Sequence, residues 1–370
     1  MSGNRRLRGL IRKEFLQILR DPSSIAIAFL MPVFLLLLFG YGLSLDAEHV
    51  PLAVVVEKPS AETARFTGML QHSRYLSPQD FASMRDAQLA LRNHTVDGIV
   101  HLRASFAADL KAHRESGIQI IVNGVDANTA RMVQGYIGSV WALWLEERLQ
   151  AAGMAPVVNV EHRIWYNTTV SSRNYLVPGL IAVIMTLIGA LLTALVMARE
   201  WERGTMESLM VTPVSMREVL LGKLIPYFVL GMGGMALSVA MAVWLFQVPL
   251  RGSAVVLFAS AAIFLLAALG MGLAISITAR NQFVAGLVAI LTTFLPAFLL
   301  SGFIFDIASA PAVVQAVTYL VAARYFIAII QTIFLAGNIW SVILPNAAAL
   351  LVMAGVFLGI VLARSRKRLD

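Results

Sequence analysis

The chain has 370 residues, 58% of them hydrophobic and 14% charged, with a mean hydropathy of +0.76 and a formal net charge of +8. Soluble domains carry roughly 45–50% apolar and about 25% charged residues, so this composition excludes a soluble enzyme, a disordered chain and a coiled coil and indicates a membrane protein. The absence of cysteine removes disulfides, thiolate metal sites and a cysteine nucleophile.

Residues 4–20 set Leu7, Leu10, Ile11, Phe15, Ile18 and Leu19 at helical spacing with arginines opposite. That pattern predicts an amphipathic helix lying in the membrane interface. Asp21-Pro22 ends it and turns the chain. Six apolar runs follow, at about 23–45, 176–198, 224–246, 254–278, 282–304 and 341–363. Each matches the roughly 20 residues that cross a bilayer. None contains Asp, Glu, Lys, Arg or His. The first is too long and too uniformly apolar for a cleaved signal peptide. Pro32, Pro178, Pro226 and Pro296 lie within or near span ends, where membrane helices tolerate kinks.

Residues 46–174 form the long polar block, with 12 basic and 13 acidic residues and all six histidines. Strands are expected at 52–56, 97–102, 118–123 and toward 165. Helices are expected at 61–72, 81–93, 106–113 and 127–149, the last capped by Asp126. Such alternation predicts a small α/β domain, and about 125 residues suffice to bury a core. Met132, Tyr136, Trp141, Trp144 and Leu145 are expected on one apolar face of the long helix, open to core packing or to docking. His94 and His101 straddle a helix-to-strand change and lack the spacing of metal ligands. Asn93-His94-Thr95 and Asn167-Thr168-Thr169 match the glycosylation tripeptide, which matters only in a eukaryotic secretory compartment.

The rest of the chain carries 17 basic and 8 acidic residues, so the positive excess flanks the apolar runs. Charge placed that way does not describe a nucleic-acid face. With six spans, Arg5, Arg6, Arg8, Arg12, Lys13, Arg20, Arg199, Arg203, Arg217, Lys223, Arg280, Arg364, Arg366, Lys367 and Arg368 fall on one side. The short loops opposite carry only Arg251 and Arg324. The basic side is expected to be cytoplasmic, with both termini inside and the polar block outside.

A phosphate-binding loop needs Gly, four residues, then Gly-Lys-Ser/Thr. Around Gly222-Lys223 the first position is Arg217 and the last is Leu224, so the motif fails twice. The spans hold no titratable group for a proton relay or an intramembrane protease. A transporter powered from outside itself, a passive pore or a receptor is left.

Residues 199–223 read REWERGTMESLMVTPVSMREVLLGK and form the one substantial loop between spans on the basic side. A short helical stretch at 205–210 is broken by Pro213. Ser215 then caps the next helix, with Glu218 at the capping-box position.

Arg199-Glu200-Trp201-Glu202-Arg203-Gly204-Thr205-Met206-Glu207, Thr212-Pro213 and Leu220-Leu221-Gly222-Lys223 resemble the signature of type-2 ABC transporter permeases. Leu300-Ser301-Gly302-Phe303-Ile304-Phe305 with Pro311 and Thr318-Tyr319-Leu320, then Arg324-Tyr325-Phe326 and Phe334-Leu335-Ala336-Gly337-Asn338, extend the likeness. So do Arg20-Asp21-Pro22-Ser23-Ser24 and Phe39-Gly40-Tyr41-Gly42. The likeness runs nearly end to end and is strongest to bacterial inner-membrane permeases of the drug-exporting kind. Where many relatives have Asn-Pro, this chain has Val321-Ala322-Ala323.

The resemblance implies a mainly α membrane protein of six transmembrane helices. An N-terminal interfacial helix (1–22) precedes the first span (23–45). A periplasmic α/β domain (46–174) and a five-helix region (175–370) follow, the latter with a cytoplasmic coupling loop at 199–223 and re-entrant helices at 307–335. It implies that residues 199–207 dock on a separate ATPase subunit, which holds the ATP and Mg. It places Ser301, Gly302, Phe303, Arg324, Tyr325 and Phe326 around an outer gate. Phe294, Pro296 and Phe298 are the pathway-lining candidates. A second permease subunit, membrane lipid and a periplasmic adaptor are the implied partners. On the residues alone, a ligand sensor or an ATP-independent channel or scaffold stays open.

Overall fold

The structure, a computed structural model, describes residues 3–42, 49–112, 117–125, 127–151, 165–167, 171–205, 214–305 and 307–364. It divides into two compact units, residues 45–163 and residues 1–44 with 164–370.

The 45–163 unit is built on a four-stranded sheet, ordered β2-β1-β3-β4. The strands are β1 (Val50–Val56), β2 (Leu76–Phe81), β3 (Gly98–Leu102) and β4 (Gln119–Val122). β1 pairs in parallel with β2 and β3, and β4 runs antiparallel to β3. β1 is a run of apolar residues because both its faces are covered. Leu52 and Val54 face Phe66, Leu70, Phe106 and Trp144, whereas Ala53 and Val55 face Ala87 and Val96. β2 is not among the strands expected from the sequence. Its LSPQDF pattern is polar and contains Pro78, which a sheet tolerates at an edge, and β2 is an edge strand.

Helix Ala127–Ala151 turns inward a face that overlaps the one expected. Val133, Ile137, Val140 and Trp144 are buried, Met132, Tyr136 and Trp141 flank them, and Leu145 is exposed. The aromatic residues dominate the sequence pattern, but the buried stripe follows i, i+4, i+7 and i+11 through the β-branched Val133, Ile137 and Val140 to Trp144. The expected cap Asp126 and most of the expected strand toward 165 lie outside the described residues.

The other unit is helical. Among the described residues, its six helices long and apolar enough to cross a membrane are Pro22–Gly42, Ser172–Glu202, Met216–Leu245, Ala254–Ala279, Gln282–Leu300 and Trp340–Arg364. They are called the first to sixth spans below. The second is the hub, buried at every position from 176 to 194. The others keep large apolar side chains outward, among them Trp244, Val255, Phe283 and Val352. Two hydroxyl groups inside the bundle are satisfied by carbonyls of a neighbouring span. Thr193 donates to Leu269 O at 2.9 Å, and Ser276 donates to Ala194 O, so the second and fourth spans are hydrogen-bonded as well as packed.

Turns of π-helix interrupt the first span at Ala26–Leu30 and the fifth at Ile290–Phe294, and a third occupies Met241–Leu245. The first two sit just before Pro32 and Pro296. Proline has no N–H for the carbonyl four residues back, and a widened turn absorbs the gap. Between the fifth and sixth spans, Ala312–Thr318 and Ala322–Leu335 form a pair of helices bent by 81°.

Candidate functional site

The N-terminal helix Gly3–Leu19 packs along the start of the third span. The approach is close: a Cβ on Gly222 would lie 2.9 Å from Leu10 Cβ. It buries Glu14 and Ile18, while Leu16 and Leu19 stay exposed. Lys223 Nζ sits 3.2 Å from Glu14 Oε1 and 2.8 Å from Glu200 Oε1. All three side chains are at most 7% exposed. Lys13, half exposed, adds a longer contact to Glu200 at 3.8 Å. Thr205 donates its hydroxyl to the Glu200 carboxylate. Two carboxylates and two ammonium groups thus leave no net charge in this buried cluster, as burial requires.

Beside it lies a second set of contacts. Asp21 caps the first span, accepting from Ser23 N at 3.2 Å. It also pairs with Arg199 Nη1 at 2.7 Å. Partial burial pushes the Asp21 carboxyl up, but hydrogen bonds from Ser23, Arg199 and Ser24 outweigh it and hold the group well below the usual carboxylate range. Arg199 Nε reaches Gln282 Oε1 at 3.3 Å. Glu202 Oε2 accepts from Gln282 N at 3.1 Å and Nε2 at 2.9 Å. The start of the first span, the end of the second and the start of the fifth are therefore clasped by four polar side chains.

The described residues of the 199–223 stretch are mostly helix. Arg199, Glu200, Trp201 and Glu202 belong to the last turn of the second span, and Gly204 (φ +65°) follows its C-cap Arg203. Arg280 lies over the Trp201 ring at 4.6 Å. The Ser215–Glu218 capping box is present, with Ser215 N donating to Glu218 Oε2 at 2.7 Å. Thr205 is described, whereas Met206, Glu207, Thr212 and Pro213 lie outside the described residues. Sequence reasoning missed Glu14 and the partners of Lys223 and Arg199. A usable signal was present: Glu14 is the one acid among the first 20 residues and lies on the stripe of Leu7, Ile11 and Ile18.

At the other end of the spans, Gly302 (φ +84°) follows Ser301, and its carbonyl accepts from the Tyr175 hydroxyl at 3.0 Å. Phe303 is buried against the second span, where a Cβ on Gly179 would meet its ring at 2.5 Å. The Ser301 hydroxyl is buried with no hydrogen-bond partner among the described residues. Arg324 donates to the Thr318 hydroxyl and lies 3.8 Å from the Tyr319 ring centroid. Tyr325 donates its hydroxyl to Tyr319 O at 2.8 Å, and Phe326 stacks on Phe264 at 4.3 Å. Gln331 Nε2 bonds Tyr175 O at 3.3 Å, so the 322–335 helix and the 301–303 turn meet on the start of the second span. Phe294, Pro296 and Phe298 are half-buried on the fifth span. Phe298 bridges Phe39 of the first span, at 6.4 Å, and Phe303, at 6.2 Å.

Spans joined by polar ties at one end and an aromatic cluster at the other, with an α/β unit inserted, belong to a multi-pass membrane protein. The chain is a member of the ABC-2 family of transporter proteins, whose model matches residues 22–363. It is 42% identical over 369 residues to the "Probable multidrug ABC transporter permease YbhS" of Escherichia coli, covering 99% of this chain and 98% of that protein. It is 29% identical over 337 residues to the "Probable multidrug ABC transporter permease YbhR" of the same organism, covering 89% and 90%. It is 27% identical over 327 residues to its "Inner membrane transport permease YhhJ", covering 86% and 85%.

Proposed function

We propose that this chain is the transmembrane half of an ATP-driven exporter in a bacterial inner membrane. It is not catalytic alone. ATP and Mg are held by a separate ATPase subunit, and two permease subunits, identical or paralogous, enclose the pathway. The substrate class comes from the relatives' names: drugs, or other amphiphilic small molecules. Both termini face the cytoplasm and the 45–163 unit faces the periplasm, where an adaptor protein is its expected partner. The N-terminal helix lies in the inner interface, and the bent pair of helices re-enters the membrane from the outer face.

The clasp of Asp21, Arg199, Glu202 and Gln282 is the observation that carries this reading. In it, residues 199–207 receive the ATPase's motion. A segment that only linked two spans would have no need to be bonded to the first and fifth as well. Force on the loop passes through Arg199 to Asp21 and through Glu202 to Gln282, tilting the first, second and fifth spans together. The turn at Ser301–Phe303 and the Arg324–Phe326 helix end then separate as an outer gate. Phe294, Pro296 and Phe298 lie on the moving fifth span and line the apolar path.

The test is co-purification of the chain with the ATPase encoded beside it, before and after replacing residues 205–210 with a Gly-Ser linker of equal length. Recovery of the complex that depends on the native segment supports the assignment. Undiminished recovery with the linker, or none with the native chain, overturns it.

A further inference from the structure

Beside the clasp, and sharing Asp21, Arg199 and Gln282 with it, is a cavity of about 790 Å³. Its wall includes Arg12, Lys13, Arg20, Arg199 and Arg203, against the single carboxylate of Asp21. Arg199 is committed to Asp21, and Lys13 leans toward Glu200 at 3.8 Å. Arg12, Arg20 and Arg203 are exposed, and none has a carboxylate within ion-pairing distance among the described residues. Three guanidinium groups around one concavity suit an anion with several oxygens, because each presents a planar fork of donors.

The surroundings identify the source of that anion. Leu16 lines the cavity and is 47% exposed, and Leu19 on the same helix is 68% exposed. Gln282 lines it too, and its neighbour Phe283 is 77% exposed. A soluble anion has no use for an apolar rim, whereas acyl chains cover one. The cavity lies among the ends of the first, second and fifth spans, which, with these helices read as membrane spans, is where lipid headgroups gather.

We propose that this cavity binds the phosphate group of an anionic phospholipid headgroup through Arg12, Arg20 and Arg203. The inference rests on the reading of these helices as membrane spans and does not require the ATPase assignment. A phosphodiester between the N-terminal helix and the loop base would hold that helix against the clasp. Lipid composition would then set how firmly the N-terminal helix follows the moving spans.

The test is native mass spectrometry of the full chain in neutral detergent, titrated with phosphatidylglycerol, with phosphatidylcholine, and with inorganic phosphate. Retention of phosphatidylglycerol at least tenfold above phosphatidylcholine is expected. Removing two cationic contacts in Arg12→Gln/Arg20→Gln is expected to weaken it by on the order of tenfold. Arg65→Gln/Arg85→Gln in the other unit is expected to change nothing. Arg203→Gln is the second variant should the double variant fail to fold, and it is expected to weaken retention severalfold. Equal retention of the two lipids, or retention unchanged in the cavity variants, overturns the proposal. Inorganic phosphate binding as tightly as phosphatidylglycerol also overturns it, in favour of a soluble anion. Loss of bound lipid on adding stoichiometric ATPase, with the cavity variants losing the ATPase too, assigns the cavity to that partner and overturns it as well. No arm but the last involves the ATPase, so failure of the coupling reading would leave the lipid result standing.

Discussion

Arg199 Nη1 donates to Asp21 Oδ2 at 2.7 Å, joining two residues 178 positions apart in the sequence. The same carboxylate caps the first span through Ser23 N. One side chain therefore fixes where the first span starts and where the second ends. That double duty separates two substitutions that look alike on paper.

Asp21→Asn keeps a good helix cap but loses the ion pair, and Asp21→Ala loses both. The expected cost of the first is about 1–2 kcal/mol for a partly buried pair, with about 1 kcal/mol more for the second. Because the folded carboxyl is held below its ordinary value, the pair contributes in full above about pH 4 and is lost as pH falls toward the lowered value. Melting in detergent should show a gap between wild type and Asp21→Asn that is full at pH 7 and narrows below about pH 4. A gap independent of pH over that window would mean that the pair contributes nothing.

Lys223→Met should be among the most damaging single changes in the helical unit. It leaves Glu14 and Glu200 buried with Lys13 alone, and breaking a buried pair costs about 3–5 kcal/mol. Lys223→Met combined with Glu14→Gln removes the carboxylate left with no cation, since Glu200 keeps Lys13, and should recover part of the melting temperature. If the double variant melts below the single one, the cluster is not held by charge balance.

The contact between the second and fourth spans is set by glycine. A Cβ on Gly272 would stand 2.2 Å from Thr193 Oγ1 and 2.3 Å from the Ala190 carbonyl oxygen. Gly272→Ala should therefore cost about 1–3 kcal/mol through forced separation. Gly68→Ala, in helix Ala61–His72 with no atom within 4 Å of the added carbon, should leave stability unchanged or slightly raised. Parallel thermal scans of the two variants check both expectations.

The spans were readable because twenty uninterrupted apolar residues admit few other folds, and the Ser215–Glu218 box because its signal is local. The charged residues at the span ends were harder. Glu14 and Lys223 are 209 positions apart, and only packing shows that a lysine in a loop-like run of mixed charge points inward. The expected 199–223 loop shrinks for that reason. Arg199 to Glu202 stay helical past the apolar run, because Arg199 pairs with Asp21, Glu200 with Lys223, and Glu202 bonds Gln282. The edge strand β2 was hidden by Pro78, and Val133, Ile137 and Val140 on the long helix's buried face by the prominence of its aromatic residues. For Glu202 the sequence signals the loop, and the structure adds its hydrogen bonds to Gln282 on the fifth span.

At the outer end, Phe303→Ala should open a cavity against Gly179 and cost about 3–5 kcal/mol, whereas Phe303→Leu should cost much less. Tyr175→Phe removes one hydrogen bond to the Gly302 carbonyl, worth about 1 kcal/mol. If this turn is part of a gate, Tyr175→Phe should raise substrate leak from loaded vesicles without a matching loss of folded protein. Leak equal to wild type would confine the bond to a structural role.

The most direct test of the coupling account is substrate-stimulated ATP hydrolysis by the chain reconstituted in vesicles with its ATPase, comparing wild type with Glu202→Ala and Glu207→Ala. The account predicts that the assembled complex loses stimulation in both variants. Stimulation untouched by both substitutions, or an ATPase that never binds the wild-type chain, would contradict it and favour a channel or scaffold.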